Sequence, residues 1–472
     1  MNPPFTRSVG GSQLLGSLKG AEHAKAREAL ADLIARPDVA GDLNAGLAAP
    51  FIELAHRSVR LGGRLALVLP KTVLTGESWA QTRERIASHW HVEHVITSHE
   101  AGRWNFSDST ELSEAIVIAR KLHPDEDRSD ATTAWTSLWR NPPTSIEALA
   151  VAAALRRSKP TYSGEAITVG EGLEAVVGEV FARPAPRDGA PWRHGTFSRS
   201  VLDAASEALL NREPVPLPCA RAAISIPTTR IQDIAAVGPD RARIHDGFRR
   251  SPAVTGYRVL WGHDSTTLQT LQETCNGYLD PTPGREEYAT KLWAASSCLM
   301  VAERLWLTTH RCIAVRLDQT ALSNTFWPVT LKESSEEEQQ LIVLWLNSTL
   351  GLTAFIGASE ETRGPFIAMK KNKLRELPVI DAQSLSGEGR ALLLGEWQHL
   401  AETPLQPLAD LSHDPVRARI DRAFCEALNI PVEPIDALRS MLENEPRLAK
   451  PRPRRKGRDS GRDPDQQVLF PL

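Results

Sequence analysis

The order of apolar and polar positions divides the chain into alternating helical and extended stretches. Residues 21–36 are polar and alanine-rich, the composition of a solvent-facing helix. Pro50 opens a second helical stretch. There Phe51, Ile52, Ala55 and Val59 share one face, and Gly62-Gly63 marks the end. Residues 65–69 are apolar at every position and are stopped by Pro70, which predicts a strand covered on both faces. A helix near 77–90, a short strand over 94–97 and another apolar strand over 115–119 follow. Helices alternating with buried strands predict an α/β sheet.

Beyond this the pattern changes. Residues 122–145 are polar and loop-like, with a proline pair at Pro142-Pro143. A helix over 146–157 leads into glycine-rich turns and a proline-rich stretch ending at Pro218. Residues 219–385 contain strand-like pieces at 257–261, 305–309 and 313–317 and one strong helix over 336–350. Residues 386–448 suggest two or three helices, and the tail from Lys450 has the polar, charged, proline-rich composition of disorder. The expected layout is a first α/β unit over 1–125, a connecting region over 126–218, an α+β domain over 219–385, a helical region over 386–449 and a basic tail over 450–472.

Composition narrows the function classes only slightly. A net charge of -3 argues against a uniformly basic coat but leaves room for a local basic face. The five cysteines (Cys219, Cys275, Cys298, Cys312 and Cys425) form no CxxC pair, which predicts reduced thiols in a cytoplasmic protein. His89, His91, His94 and His99 cluster around Trp90. They run through a helix end and a strand, where alternation points them apart, so no metal site is expected.

The chemistry is concentrated at the start, in Asn2-Pro3-Pro4-Phe5. An asparagine carboxamide oxygen and a backbone carbonyl can both accept hydrogen bonds from an exocyclic amine. Two prolines hold that carbonyl rigidly and remove competing N–H donors. The aromatic ring offers a face to a base extruded from duplex DNA. A second copy, Asn141-Pro142-Pro143-Thr144, lacks the aromatic and is expected to be a turn.

The first copy is followed by Gly62-Gly63-Arg64 and the apolar run to Pro70. Trp104-Asn-Phe106 then leads into the 115–119 strand. Further on come Leu346-Asn-Ser-Thr-Leu-Gly351, Glu361-Thr-Arg-Gly-Pro-Phe366 and Leu377-Pro-Val-Ile-Asp381. In that order the motifs resemble the N(6)-adenine DNA methyltransferases of bacterial restriction–modification and phage-defence systems. The resemblance implies a partial Rossmann-like methyltransferase sheet, then an α+β DNA-recognition domain and a helical C-terminal region. It implies that Asn2 and the Pro3 carbonyl bind the target amine, that Pro4 shapes the loop, and that Phe5 stacks on the adenine. Phe106 is either a second aromatic near the base or a plain core aromatic.

The resemblance also implies S-adenosylmethionine as methyl donor. In the family, its glycine loop and acidic residue precede the Asn-Pro-Pro loop, and nothing before Asn2 here supplies them. Three expectations follow: a start upstream of Met1, a complementing methyltransferase fragment on another chain, or a DNA-binding remnant. In the family the strand leading into the motif lies beside the 65–69 strand, so that strand is expected to present an open edge.

Two basic stretches suggest DNA as partner. Arg363, Lys370, Lys371, Lys373 and Arg375 suit phosphate contacts, or else form an ordinary solvated face. The run 450–458 carries six cations and no acid, which would add salt-sensitive DNA affinity. Near the end, Gln466, Leu469 and Phe470 resemble the short peptide that docks on the bacterial sliding clamp.

Overall fold

The computed structural model describes residues 1–3, 18–37, 39–42, 45–46, 48–100, 113–170, 175–262, 268–333, 335–363 (backbone only at 362 and 363) and 366–448. The helices are α1 (Gly20–Ile34), α2 (Ala48–Ser58), α3 (Ala80–His89), α4 (Ser145–Arg157), α5 (Ser200–Asn211), α6 (Ile231–Ile234), α7 (Arg241–Gly247), α8 (Glu286–Trp293), α9 (Glu336–Asn347), α10 (Thr349–Ala358), α11 (Lys371–Glu376), α12 (Gly387–Leu400), α13 (Pro415–Ala427) and α14 (Glu433–Glu443). The strands of the first half are β1 (Arg64–Pro70), β2 (Trp90–Ser98), β3 (Glu114–Lys121), β4 (Thr132–Leu138), β5 (Glu165–Val169) and β6 (Ala175–Pro184). Those of the second are β7 (Thr228–Arg230), β8 (Ala235–Val237), β9 (Phe248–Ser251), β10 (Tyr257–Leu260), β11 (Gln272–Glu273), β12 (Gly277–Pro281), β13 (Ser297–Ala302), β14 (Arg304–Trp306), β15 (Ala314–Ser323), β16 (Phe326–Leu331), β17 (Glu360–Arg363), β18 (Phe366–Ala368) and β19 (Pro378–Ile380). The architecture is mixed α/β.

The first sheet has the order β1-β3-β2-β4-β6-β5. β3 runs antiparallel between β1 and β2, and β4 runs parallel to β2. The C-terminal ends of β1, β2 and β4 and the start of β3 therefore meet at one end of the sheet. Leu65, Leu67 and Leu69 of β1 join Ile52, Val95 and Val117 in one buried core. Ala66, on the other face of β1, is exposed, and Val68 is half-buried. The expectation of two covered faces thus holds for one face only. Apolar composition cannot distinguish a doubly covered strand from one whose outer face carries small or half-exposed aliphatics. On that outer face α4 covers the β4–β6 end, where Val151, Ile167 and Val180 form a separate core.

β4 lies in the stretch expected to be a loop. Its threonines hid it: Thr133 is buried, and its hydroxyl donates to the Val92 carbonyl at 2.6 Å. Burial with a satisfied hydroxyl removes the cost that a polar strand would otherwise carry. Residues 126–218, expected as a connection, supply β4, β5 and β6 to the first sheet and α5 to the larger core.

That larger core holds an eight-stranded sheet of order β8-β16-β13-β15-β10-β12-β9, with β11 paired to β15, and a helical layer. The helix expected over 336–350 breaks at Ser348, and α9 and α10 meet at 76°. The Asn347 carboxamide receives the Ile313 N–H at 2.9 Å and donates to the Ala314 carbonyl at 2.8 Å. Ser348 then caps α10, accepting the Gly351 N–H at 3.2 Å. Among the described residues no single helix is long and apolar enough to cross a membrane. The bent α9–α10 pair passes by length and composition only, and its apolar residues lie inside the core.

Candidate active site and nucleic-acid interface

The first residues sit on the free edge of β1. The Met1 amine donates to the Ala66 carbonyl at 2.6 Å, and the Val68 N–H donates to the Met1 carbonyl at 3.0 Å. One residue bonded to positions on either side of Leu67 is the pattern of a parallel neighbour. A parallel course carries Asn2 and Pro3 towards Pro70, the end where the strand termini gather. Asn2 is exposed and Pro3 is buried. Pro4, Phe5 and Phe106 lie outside the described residues, as do the tail 450–458 and Gln466, Leu469 and Phe470.

Around these strand ends the chain concentrates buried charge. The Lys71 N–H donates to the Ser113 carbonyl at 2.8 Å, and the Ser113 hydroxyl donates to Glu361 at 2.7 Å. Glu361 also receives Arg447 at 2.8 Å and lies 3.6 Å from the Lys71 ammonium. Burial, reinforced by Arg447, pulls Lys71 down to about 8. Burial pushes Glu361 up, but Arg447 and Lys71 outweigh it and hold the carboxyl below its ordinary range. Nearby, Glu445 accepts from the Ser198 N–H and hydroxyl, the latter at 2.8 Å. The cavity among Lys71, Thr196, Glu361 and Arg447 measures about 10 Å³, the room of at most one water. This cluster ties three parts of the chain together. Its charges are widely separated in sequence; Glu361 opens one of the motifs quoted above, whereas Lys71 and Arg447 carry no sequence signal of their own.

His99 stands at the same end, its Nε2 3.1 Å from the Thr97 hydroxyl. Burial, with Lys71 and Arg447 nearby, holds it well below 6.5. His89 lies at the opposite end of β2, its ring 4.7 Å from that of His56. Among the described residues no group of three or more His, Cys, Asp or Glu is placed to hold a metal. The second Asn-Pro-Pro is a turn into α4: the Asn141 carboxamide accepts from Ser98 at 2.7 Å, and Thr144 caps the helix. A groove of about 1190 Å³ between the end of α1 and α3, with Ile34, Glu84 and Ser88 in its wall, opens towards His89, away from the strand ends.

The predicted basic run is divided by the fold. Lys370 and Arg375 are exposed. The Lys371 ammonium donates to the Gly238 carbonyl at 2.9 Å. Lys373 is half-buried with Glu376, Glu360 and Glu77 in its field. The side chain of Arg363 lies outside the described residues. Asn372 donates to Glu77, which sets α11 against the first sheet's unit. Arg241 and Arg243 of α7, which the sequence did not single out, stand beside this run: Lys371 senses Arg243 and Arg375. Their only sequence signal was an Arg-x-Arg pair after Asp240, which caps α7 by accepting the Arg243 N–H at 2.9 Å.

A nucleoside cofactor needs a strand, a glycine loop and a helix in that order. Gly62, with φ of +72°, turns the chain from α2 into β1, the reverse order. Gly62 therefore does not supply the loop that a nucleoside cofactor needs.

No protein-family model matches the chain. No curated protein matches it. Among solved structures, the type IIG restriction endonuclease BpuSI is similar at 13% identity and a TM-score of 0.36, with 93% of this chain and 53% of that chain covered. The chain thus spans about half the length of that enzyme. The HsdS subunit from Thermoanaerobacter tengcongensis is similar at 11% identity and a TM-score of 0.24, with 63% of this chain and 67% of that one covered. A component of a type I R-M system is similar at 16% identity and a TM-score of 0.22, over 33% of this chain and 28% of that one.

Proposed function

We propose that the chain carries the amine-handling and DNA-recognition parts of a site-specific DNA adenine N(6)-methyltransferase of a restriction–modification or phage-defence system. The observation that supports this most is the seating of Met1 parallel to β1. It directs Asn2 and Pro3 to the end of the sheet where Lys71, His99 and Ser113 meet. Asn2 would accept one hydrogen of the adenine amine and the Pro3 carbonyl the other, with Phe5 against the base. Orientation of the amine is what such a site contributes. Double-stranded DNA would lie along Lys370, Arg375 and the neighbouring α7 arginines. The methyl donor would be held by protein outside the described residues, with a complementing methyltransferase fragment as one source.

The test is made in the chain's own cells. Replacing Asn2→Ala at the chromosomal locus should lower N(6)-methyladenine at the affected sites, read by methylation-sensitive sequencing, by about a hundredfold in rate. Unchanged methylation would remove the amine-binding role. A second reading is a DNA-binding subunit without catalysis. Under it, deletion of the whole locus leaves methyladenine unchanged while the chain still binds duplex DNA.

A further inference from the structure

The three-stranded ribbon β14-β18-β17 has two unlike faces. Leu305 and Ile367 are paired across β14 and β18 and are fully buried. The alternate positions, Arg304, Trp306 and Phe366, point the other way. Trp306 is 42% exposed. Its ring meets that of Phe366 edge to face, with centroids 6.1 Å apart. The backbone N–H of Trp306 donates to His310 Nδ1 at 3.1 Å. An outward tryptophan does nothing for the core of this ribbon, whose inner face is already closed by Leu305 and Ile367.

Cations and a carboxylate share this outer face: Glu360 pairs with Ala368 and so lies on the same side as Arg304 and Phe366. Arg304 sits two positions from Trp306 on the same strand, 3.5 Å from Glu303 and still 43% exposed. The Met369 N–H donates to the Glu303 carbonyl at 2.7 Å, and the exposed Lys370 lies in the field of the Glu303 carboxyl. Arg241 lies in the field of the same Glu303 carboxyl. The opposite edge of the ribbon, β17, carries Glu361 into the strand-end cluster of Lys71 and Ser113. Two strand spacings, ~10 Å, separate that strand from β14.

We propose that Trp306, supported by Phe366, makes a ring contact with a nucleobase of the bound duplex, as a stacking or wedging side chain set between phosphate-binding cations. This rests on the DNA-binding reading above and adds a specific contact to it. Apolar wedges between base steps and aromatic platforms under bases are two ways in which proteins hold distorted DNA. Arg304, Lys370 and Arg241, gathered near Glu303 at one end of this face, favour a polyanion over an apolar protein surface as the occupant.

The experiment uses the full chain and a fluorescently labelled mixed-sequence 30-base-pair duplex, with anisotropy followed across a salt series. Trp306→Ala should weaken binding by about tenfold and leave the log–log salt slope unchanged. Trp306→Phe should restore most of the affinity. Lys370→Ala, as comparison, should lower the slope by about one. Equal affinity of wild type and Trp306→Ala, with both folded by circular dichroism, would overturn the contact while leaving DNA binding intact. Absence of any binding by the wild type at low salt would overturn the DNA reading and the contact together. Unchanged DNA affinity with loss of a co-purifying protein would assign this face to protein and overturn the inference.

Discussion

His310 shows how one side chain reports its surroundings. Burial pulls its pKa from 6.5 to about 4, against the Trp306 peptide, which favours the charged form. Above pH 6.5 the ring is neutral in both folded and unfolded chains and contributes nothing to pH dependence. As pH falls from 6.5 through 4 the unfolded chain takes up a proton that the folded one refuses, so stability is lost. His194, pulled to about 3 by burial, acts in the same sense. His310→Asn keeps an acceptor for the Trp306 N–H and removes the titrating group. Between pH 7 and 5 this variant should lose about 1–2 kcal/mol less unfolding free energy than the wild type, read from urea midpoints at both pH values. Equal losses would mean that the ring is not the titrating site.

At the scale of the element, the α9–α10 corner depends on one missing side chain. A Cβ at Gly351 would stand 1.9 Å from the Trp345 carbonyl oxygen, so Gly351→Ala cannot be accepted without moving backbone. It should destabilise by about 1–3 kcal/mol or more. Gly395, inside α12, meets nothing within 4 Å, and its backbone is helical. Gly395→Ala should stabilise by about 0.5–1 kcal/mol. Urea unfolding of the two variants tests the pair, and a corner that tolerates alanine would refute the close approach. β1 shows the same dependence on surroundings. Its leucines reach the core, whereas its free edge has only the Met1 backbone against Ala66 and Val68 among the described residues. An apolar strand with an open edge is a ready template for further pairing, as the edge expected from the sequence implied.

Across the whole molecule, Glu361 joins the first sheet's unit, through Lys71 and Ser113, to the C-terminal segment, through Arg447. Breaking a buried ion pair from one side is costly because the remaining charge has no partner. Glu361→Gln should therefore destabilise the chain by about 3–5 kcal/mol. Adding Lys71→Met should recover part of that loss, since it removes one buried ammonium. Thermal unfolding of the single and double variants decides this. A double variant no more stable than the single one would show that Lys71 is not the charge left exposed to the penalty.

The sequence by itself determined the elements with strong local signals. α1, α2, β1, β3 and α4 follow periodicity, helix punctuation and unbroken apolar runs, and residues 386–448 do contain helices. It also marked Asn2, Pro3 and the 363–375 cations as candidate site residues. Tertiary structure decided what local pattern cannot carry. Thr133 became a strand residue because its hydroxyl found the Val92 carbonyl. The long helix broke at Ser348 because Asn347 bonds the Ile313–Ala314 backbone. Lys371 turned to Gly238 while Lys370 faced solvent. Lys71, Glu361 and Arg447 became one cluster only through contacts between residues 86 and 290 positions apart. A side chain's hydrogen-bond partner and a charge's desolvation depend on neighbours distant along the chain, and composition and spacing hold no record of them.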